Sequence, residues 1–411
     1  MKVPMSVFSI RTISIAVALV SVGFFAARLT RYASRPTFGF ETYYSSAILL
    51  SSGIPAEILY DDSEFNRQRA QKAGIHSREP FAPNPPPTAI LFIPLTLVSL
   101  PMAKILWECL SLGFLLVFFL IIKKEKNLDL VESFALIAFA FAFTPLSMNF
   151  VYGQMYALLL LLLSSMYWAW RSKRQYLTAL FLASLLLLKG FGVFLILLLL
   201  LRKEWMVLGL TLGMLLVGVV VSAVLVGIGG WGAYMTSIFE VLTQVGSSPL
   251  QQNVVGFVGT ITDIAAGTSG VTGVISAGLI AGSAGILFWF SRRPDSGDIR
   301  TPFGIAVILS LLFSPVIADY HYALLLLPLF FLYDRLSHGF SNAQLAMLAV
   351  AMFLLSAKLP LTSGVRGTVE DLLAFPRVYG SLLLLVLFFT PVGWGSNLRS
   401  DSFSTAIDGK Q

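Results

Sequence analysis

The chain has 411 residues, of which 56% are hydrophobic (AVILMFWYC) and only 12% charged, against about 25% charged in an ordinary globular protein. With a mean hydropathy of +0.82, there are too few charges to cover a water-facing surface. A soluble enzyme of two or three domains is therefore excluded, and the expected fold class is an all-α polytopic membrane protein. The net charge is +7, but the basic residues stand in short clusters between apolar runs rather than in one stripe, a pattern that suits a bilayer protein and excludes a nucleic-acid partner.

In chain order, apolar runs of spanning length fall at 8–28, 88–122, 131–150, 152–170, 176–201, 205–228, 271–291, 301–318, 320–337, 341–359 and 377–395. The first has Lys2 and Arg11 ahead of its apolar core but no Ala-x-Ala cleavage site before Arg28, so a retained helix is expected rather than a signal peptide. Basic clusters at Lys123, Lys124 and Lys126, at Arg171, Lys173 and Arg174, at Arg202 and Lys203, at Arg292, Arg293 and Arg300, and at Arg335 mark the cytoplasmic ends. Both termini then lie inside, residues 1–395 form one membrane domain, residues 30–87 and 229–270 form two outer segments, and 396–411 is a polar, disordered cytoplasmic tail. The run 176–201 joins two basic clusters yet is too short for two spans. It predicts two half-helices turning near Gly190, a re-entrant hairpin beside ten full spans.

The first outer segment holds a short amphipathic stretch at 42–52 and a polar one with helical spacing at 62–73. It ends in Pro83, Pro85, Pro86 and Pro87, a rigid extended approach to the second span. In the second segment Trp231, Tyr234 and Phe239 suit a helix lying on the bilayer surface.

Ionisable residues near membrane segments are functional candidates by default. Glu41, next to Tyr43 and Tyr44, is either a partly desolvated general base toward a hydroxyl or a solvated loop acid. Asp61 and Asp62, after Tyr60, have the chemistry to hold a divalent cation, but their spacing favours capping a helix that begins near Ser63. Lys189, inside an apolar run, either meets a buried partner or a phosphate or snorkels to the cytoplasmic side. Asp319 and His321, two residues apart, share no helical face, so only a kink or break brings both to one cavity. His321 is then a proton handler or phosphate contact, or else an interfacial histidine without a role. Gln154 is placed to hydrogen-bond a neighbouring helix. Lone Cys109 excludes an intramolecular disulfide. The sequence contains no phosphate loop, zinc-type ligand spacing or Gly-x-Ser-x-Gly elbow, and no inverted repeat is evident.

Read in order, Phe40-Glu41-Thr42-Tyr43-Tyr44-Ser45-Ser46-Ala47, Leu59-Tyr60-Asp61, Asn84-Pro85-Pro86-Pro87, Pro94-Leu95, Trp107, Tyr152-Gly153-Gln154, Leu188-Lys189-Gly190, Asn253, and Ser314-Pro315 with Asp319-Tyr320-His321 resemble landmarks of glycosyltransferase family 87 across residues 37–330. The resemblance implies a C-type glycosyltransferase-like bundle of about 10–12 transmembrane helices with a long first outer loop. It also implies a polyprenyl-phosphate sugar donor and transfer of a hexose, mannose by the family's pattern, to a lipid or glycan acceptor at the outer face of a bacterial plasma membrane. No cofactor follows beyond the donor as substrate; a divalent cation stays open and no metal ligand is assigned. The family's acid precedes the aromatic residue, a position held here by Gly39, with Glu41 two residues on. By resemblance Glu41 is the expected general base and Asp61 orders the loop, with Asp319 in the same catalytic set. His321 and Lys189 are expected to contact the donor phosphate, and Tyr43, Tyr44, Tyr60, Gln154 and Asn253 to line the substrate site. Two alternatives stay open: a transporter or flippase of a lipid-linked substrate, and an envelope-glycan scaffold that has lost catalysis through Gly39.

Overall fold

The computed structural model describes residues 7–35, 37–243, 253–265, 269–291, 299–314, 316–337, 340–357 and 369–390. Among them the chain is helical throughout, with no strand. Helix α1 (Val7–Tyr32) leads into α2 (Phe40–Ser51), and α3 (Asp62–Ala73) follows a 3-10 turn at Ala56–Tyr60. Next come α4 (Pro86–Phe92), a 3-10 turn at Ile93–Leu97 and the long α5 (Leu100–Lys126). Then α6 (Leu130–Ala142), α7 (Thr144–Val151), α8 (Tyr156–Arg171), α9 (Gln175–Lys189), α10 (Val193–Leu201) and α11 (Trp205–Val226) follow. The remainder is α12 (Ile228–Thr243), α13 (Val254–Ala265), α14 (Ser269–Ser291), α15 (Arg300–Leu312), a 3-10 segment at Asp319–Leu325, α16 (Leu326–Ser337), α17 (Asn342–Ser356), a 3-10 turn at Val369–Ala374 and α18 (Pro376–Phe389).

Local chemistry sets the boundaries. Asp61 caps α3 by accepting from the Ser63 and Glu64 N–H groups, and Gly74, left-handed at φ 66°, ends it. Asp129 and Glu132 form a reciprocal capping box that starts α6. Lys123, Lys124 and Lys126 sit in the last turn of α5, where the helix dipole favours positive charge.

Several expected continuous runs are broken. The run 88–122 divides at Pro94 and Pro101, each at the first turn of a new element. The run 131–150 bends by 61° between α6 and α7, where Pro145 opens the second helix and cannot continue the first. The run 301–318 stops as a helix at Leu312, and 320–337 begins as a 3-10 segment. The expected half-helices at 176–201 are α9 and α10, parted by Gly190 at φ 61° and Gly192 at φ 121°. The stretches 42–52 and 62–73 match α2 and α3.

Helices α5 and α11 are long and apolar enough to cross a membrane, and the bent pair α6–α7 makes a third such span if counted as one. Their outward faces carry large apolar side chains; on α11, Leu212, Leu216, Val220 and Val224 are exposed, the last by 81%. A contiguous apolar face of this kind is not stable against water and suits lipid. By contrast α15 and residues 322–332 are buried almost all round and form the centre of the bundle. Pro315, the basic pair Arg292 and Arg293, part of the segment 229–270 and residues 396–411 lie outside the described residues.

Candidate active site

Residues 37–92 form a folded cap. Phe40 N–H donates to the Tyr152 carbonyl at 3.1 Å, which seats the start of α2 on the turn Tyr152-Gly153-Gln154. That turn needs glycine at 153: its φ is 58°, and a Cβ would meet the Phe40 Cβ at 2.7 Å. The Thr88 hydroxyl donates to the Leu188 carbonyl at 2.6 Å and ties α4 to the end of α9. The Tyr60 hydroxyl donates to the Asn84 carbonyl at 2.9 Å, and its ring packs on Tyr234 of α12 at 5.9 Å between centroids.

Lys189 ends α9 under this cap. Its Nζ donates to Asn84 Oδ1 at 2.5 Å and lies 5.1 Å from the Tyr43 ring centroid and 5.8 Å from that of Tyr156. It therefore does not snorkel away from the cap. Two of its three N–H donors have no acceptor among the described residues. The Tyr43 hydroxyl donates to Gln154 Oε1 at 2.5 Å, fixing both side chains. Tyr156 packs on His321 at 4.4 Å and on Tyr320 at 5.4 Å, while Tyr320 and His321 stack at 4.8 Å. His321 Nδ1 lies 2.9 Å from the Ala318 N–H and 3.2 Å from the Ala318 carbonyl, so the backbone of residue 318 holds the imidazole in place. The break expected near Asp319 is the start of the 3-10 segment, which brings His321 to Tyr156.

Other expected site residues are held elsewhere. Glu41 is buried; Ser77 Oγ donates to its Oε2, and Arg69 Nη2 lies 3.5 Å from the same oxygen. Asp61 is an exposed helix cap whose backbone and Ser63 donors hold its carboxyl below the usual range. Tyr44 donates to the Val98 carbonyl at 2.7 Å. Asp319 is paired with Arg377 at 2.9 Å. Asn253 donates to the Ser314 carbonyl at 2.6 Å and accepts from the Gly256 N–H at 2.7 Å, joining the start of α13 to the end of α15.

Two charged residues that sequence reasoning missed prove central. Lys104 of α5 is fully buried and its Nζ is surrounded by the carbonyls of Tyr32, Arg35 and Val151 and the Thr37 hydroxyl, all within 2.8–3.0 Å. Glu79, between Arg78 and Pro80, points its Oε2 at the N-terminus of α2, accepting from the Gly39 N–H at 2.9 Å and from the Thr42 hydroxyl at 2.5 Å. Neither sits in a motif, and although Lys104 shares the buried face of α5 with Trp107, Glu108 and Ser111, only the tertiary fold reveals their partners. Among the described residues no group of three or more His, Cys, Asp or Glu is placed to hold a metal ion.

A family model decides the class: glycosyltransferase family 87 matches residues 81–315, more than half of the chain. The chain belongs to glycosyltransferase family 87. The matched stretch includes Asn84, Gln154, Lys189 and Asn253, whereas Glu41, Asp61, Glu79, Asp319 and His321 lie outside it. No curated protein and no solved structure matches the chain.

Proposed function

We propose that this family 87 glycosyltransferase is an integral membrane enzyme that moves a hexose, mannose being the first to test, from a polyprenyl-phosphate donor to a lipid or glycan acceptor at the outer face of a bacterial plasma membrane. The supporting observation is Lys189, a half-buried ammonium with donors to spare, set between the faces of Tyr43 and Tyr156 beside His321. A phosphate leaving an anomeric carbon gains negative charge, and fixed donors already aimed at that place stabilise it. A sugar needs flat apolar faces and hydrogen-bonding edges, which the tyrosines, Gln154 and Asn84 offer. A donor that already resides in the bilayer needs no nucleotide-binding domain, in keeping with the lack of a phosphate loop. The apolar faces of α5 and α11 suit the prenyl chain's own solvent.

The test is sugar transfer by the purified protein in lipid vesicles, using radiolabelled polyprenyl-phosphate hexoses and an extract of envelope acceptors. Wild type is expected to transfer label, and Lys189→Gln to bind the donor at least ten-fold more weakly. Movement of the labelled lipid between leaflets with no transfer would favour a flippase instead.

A further inference from the structure

The acid of the resembled motif is missing at Gly39, yet a carboxylate occupies that neighbourhood. Gly39 has φ +89°, and a Cβ there would run into the Gln154 amide. Its bare backbone instead turns the N–H toward Glu79. The Thr42 hydroxyl, one turn along α2, grips the same Glu79 oxygen, while Oε1 has no hydrogen-bond partner among the described residues. The backbone of residue 79 is clamped as well: its N–H donates to Asn66 Oδ1 at 3.0 Å and its carbonyl accepts from Arg69 Nη1 at 3.5 Å, so α3 holds the segment in register. The carboxylate is thus fixed in orientation and has one oxygen left to accept a proton.

Its surroundings differ from those of Glu41. Glu41 acts electrostatically on Arg69, which it shares with Glu79, on Lys104 and on Glu79 itself. Glu79 acts on Lys189, Tyr43 and Tyr320, the groups that line the proposed donor site. Burial pushes the Glu79 carboxyl above its usual value, against the pull of its own hydrogen bonds and of Arg69. A carboxylate raised in this way is a better proton acceptor than a solvated one.

We infer that Glu79 is the general base of this chain, a catalytic residue delivered to the start of α2 from the far end of the outer cap. The assignment rests on the reading of a lipid-phosphate sugar donor. In the step, the acceptor hydroxyl oxygen forms a bond to the anomeric carbon and gives its proton to Glu79. The bond from that carbon to the phosphate oxygen breaks, and its electron pair leaves with polyprenyl phosphate. Glu41, through Arg69 and Ser77, is a positioning residue for the loop that carries Glu79.

The deciding experiment compares wild type, Glu79→Gln, Glu79→Asp and Glu41→Gln in the vesicle assay, measuring kcat, the KM for polyprenyl-phosphate hexose and the pH profile. General-base catalysis contributes about 10²–10⁴-fold, so Glu79→Gln is expected to lose at least about 100-fold in kcat with its donor KM little changed. Glu79→Asp should keep part of the rate and shift the acidic limb of the profile, while Glu41→Gln should lose less than ten-fold. Should Glu79→Gln fail to fold, the shifted limb in Glu79→Asp carries the test, since a structural role would leave that limb in place. Transfer at the wild-type rate by Glu79→Gln, a loss confined to KM, or a larger loss in Glu41→Gln than in Glu79→Gln would overturn the assignment and leave the donor reading intact. Wild-type protein inert toward every polyprenyl-phosphate hexose would overturn both.

Discussion

Two sets of charge, one buried and one half-buried, flank α2, and they differ in how completely the protein supplies their partners. Lys104 has four oxygens for three N–H donors, and Arg69 spreads its guanidinium over Glu41, Ser77, Asn66 and the Glu79 carbonyl. Those are nearly closed sets, in which each charge is met by protein and one buried atom, Arg69 Nε, lacks a hydrogen-bond partner. Lys189 has one acceptor and two ring faces, and Glu79 has donors on only one of its two oxygens. A half-buried charge that the protein under-supplies is left to be completed by water or by a ligand. The closed charges hold the cap in place, and the open ones keep hydrogen-bonding capacity for the donor and acceptor proposed above.

The largest effect should come from opening a closed set. Lys104→Met leaves the carbonyls of Tyr32, Arg35 and Val151 without their shared donor and unties α1 from α7 and α5. Each stranded buried acceptor costs about 1–3 kcal/mol, so a loss of more than about 3 kcal/mol is expected, seen as collapse of the thermal transition in detergent. Survival of the transition with a small shift would mean that the set is less closed than its distances indicate. Glu41→Ala comes next: Arg69 loses its carboxylate but keeps Ser77 and Asn66, so a destabilisation of about 2 kcal/mol is expected. Here stability should suffer more than turnover, the reverse of Glu79→Gln. Parallel losses in both quantities for both residues would erase the distinction between the two sets.

How far the sequence reveals this arrangement depends on the kind of signal each part carries. Local chemistry is legible: Asp61 caps α3 as its spacing favoured, the glycines at 190 and 192 part α9 from α10, and α2 and α3 fall where amphipathic and polar spacing put them. Breaks inside long apolar runs are poorly legible, because hydropathy passes straight through Pro94, Pro101 and Pro145 while the backbone does not. At the site, Lys189 stands out as a lone charge in an apolar run, and His321 as a rare histidine. Glu79 does not, because an acid in a polar loop looks solvated. Only tertiary contacts over 37 and 40 residues bring it to Thr42 and Gly39.

The smallest effect is also the most discriminating, because it concerns stability at the proposed base itself. The Glu79 carboxyl is raised in the folded chain, chiefly by burial. Folding therefore favours its protonated form, and the stability this provides is present at low pH and lost as pH rises through the raised value. Glutamine cannot ionise and shows no such loss. The difference in Tm between Glu79→Gln and wild type should thus move in favour of the variant as pH rises from the ordinary glutamate value of about 4.3 toward neutrality. A constant difference would place Glu79 among the closed charges, held for structure alone. If the shift is found together with a collapse in kcat, the same ionisation that weakens the fold supplies the proton acceptor. That opposition between stability and turnover is the physical mark of a group kept for chemistry.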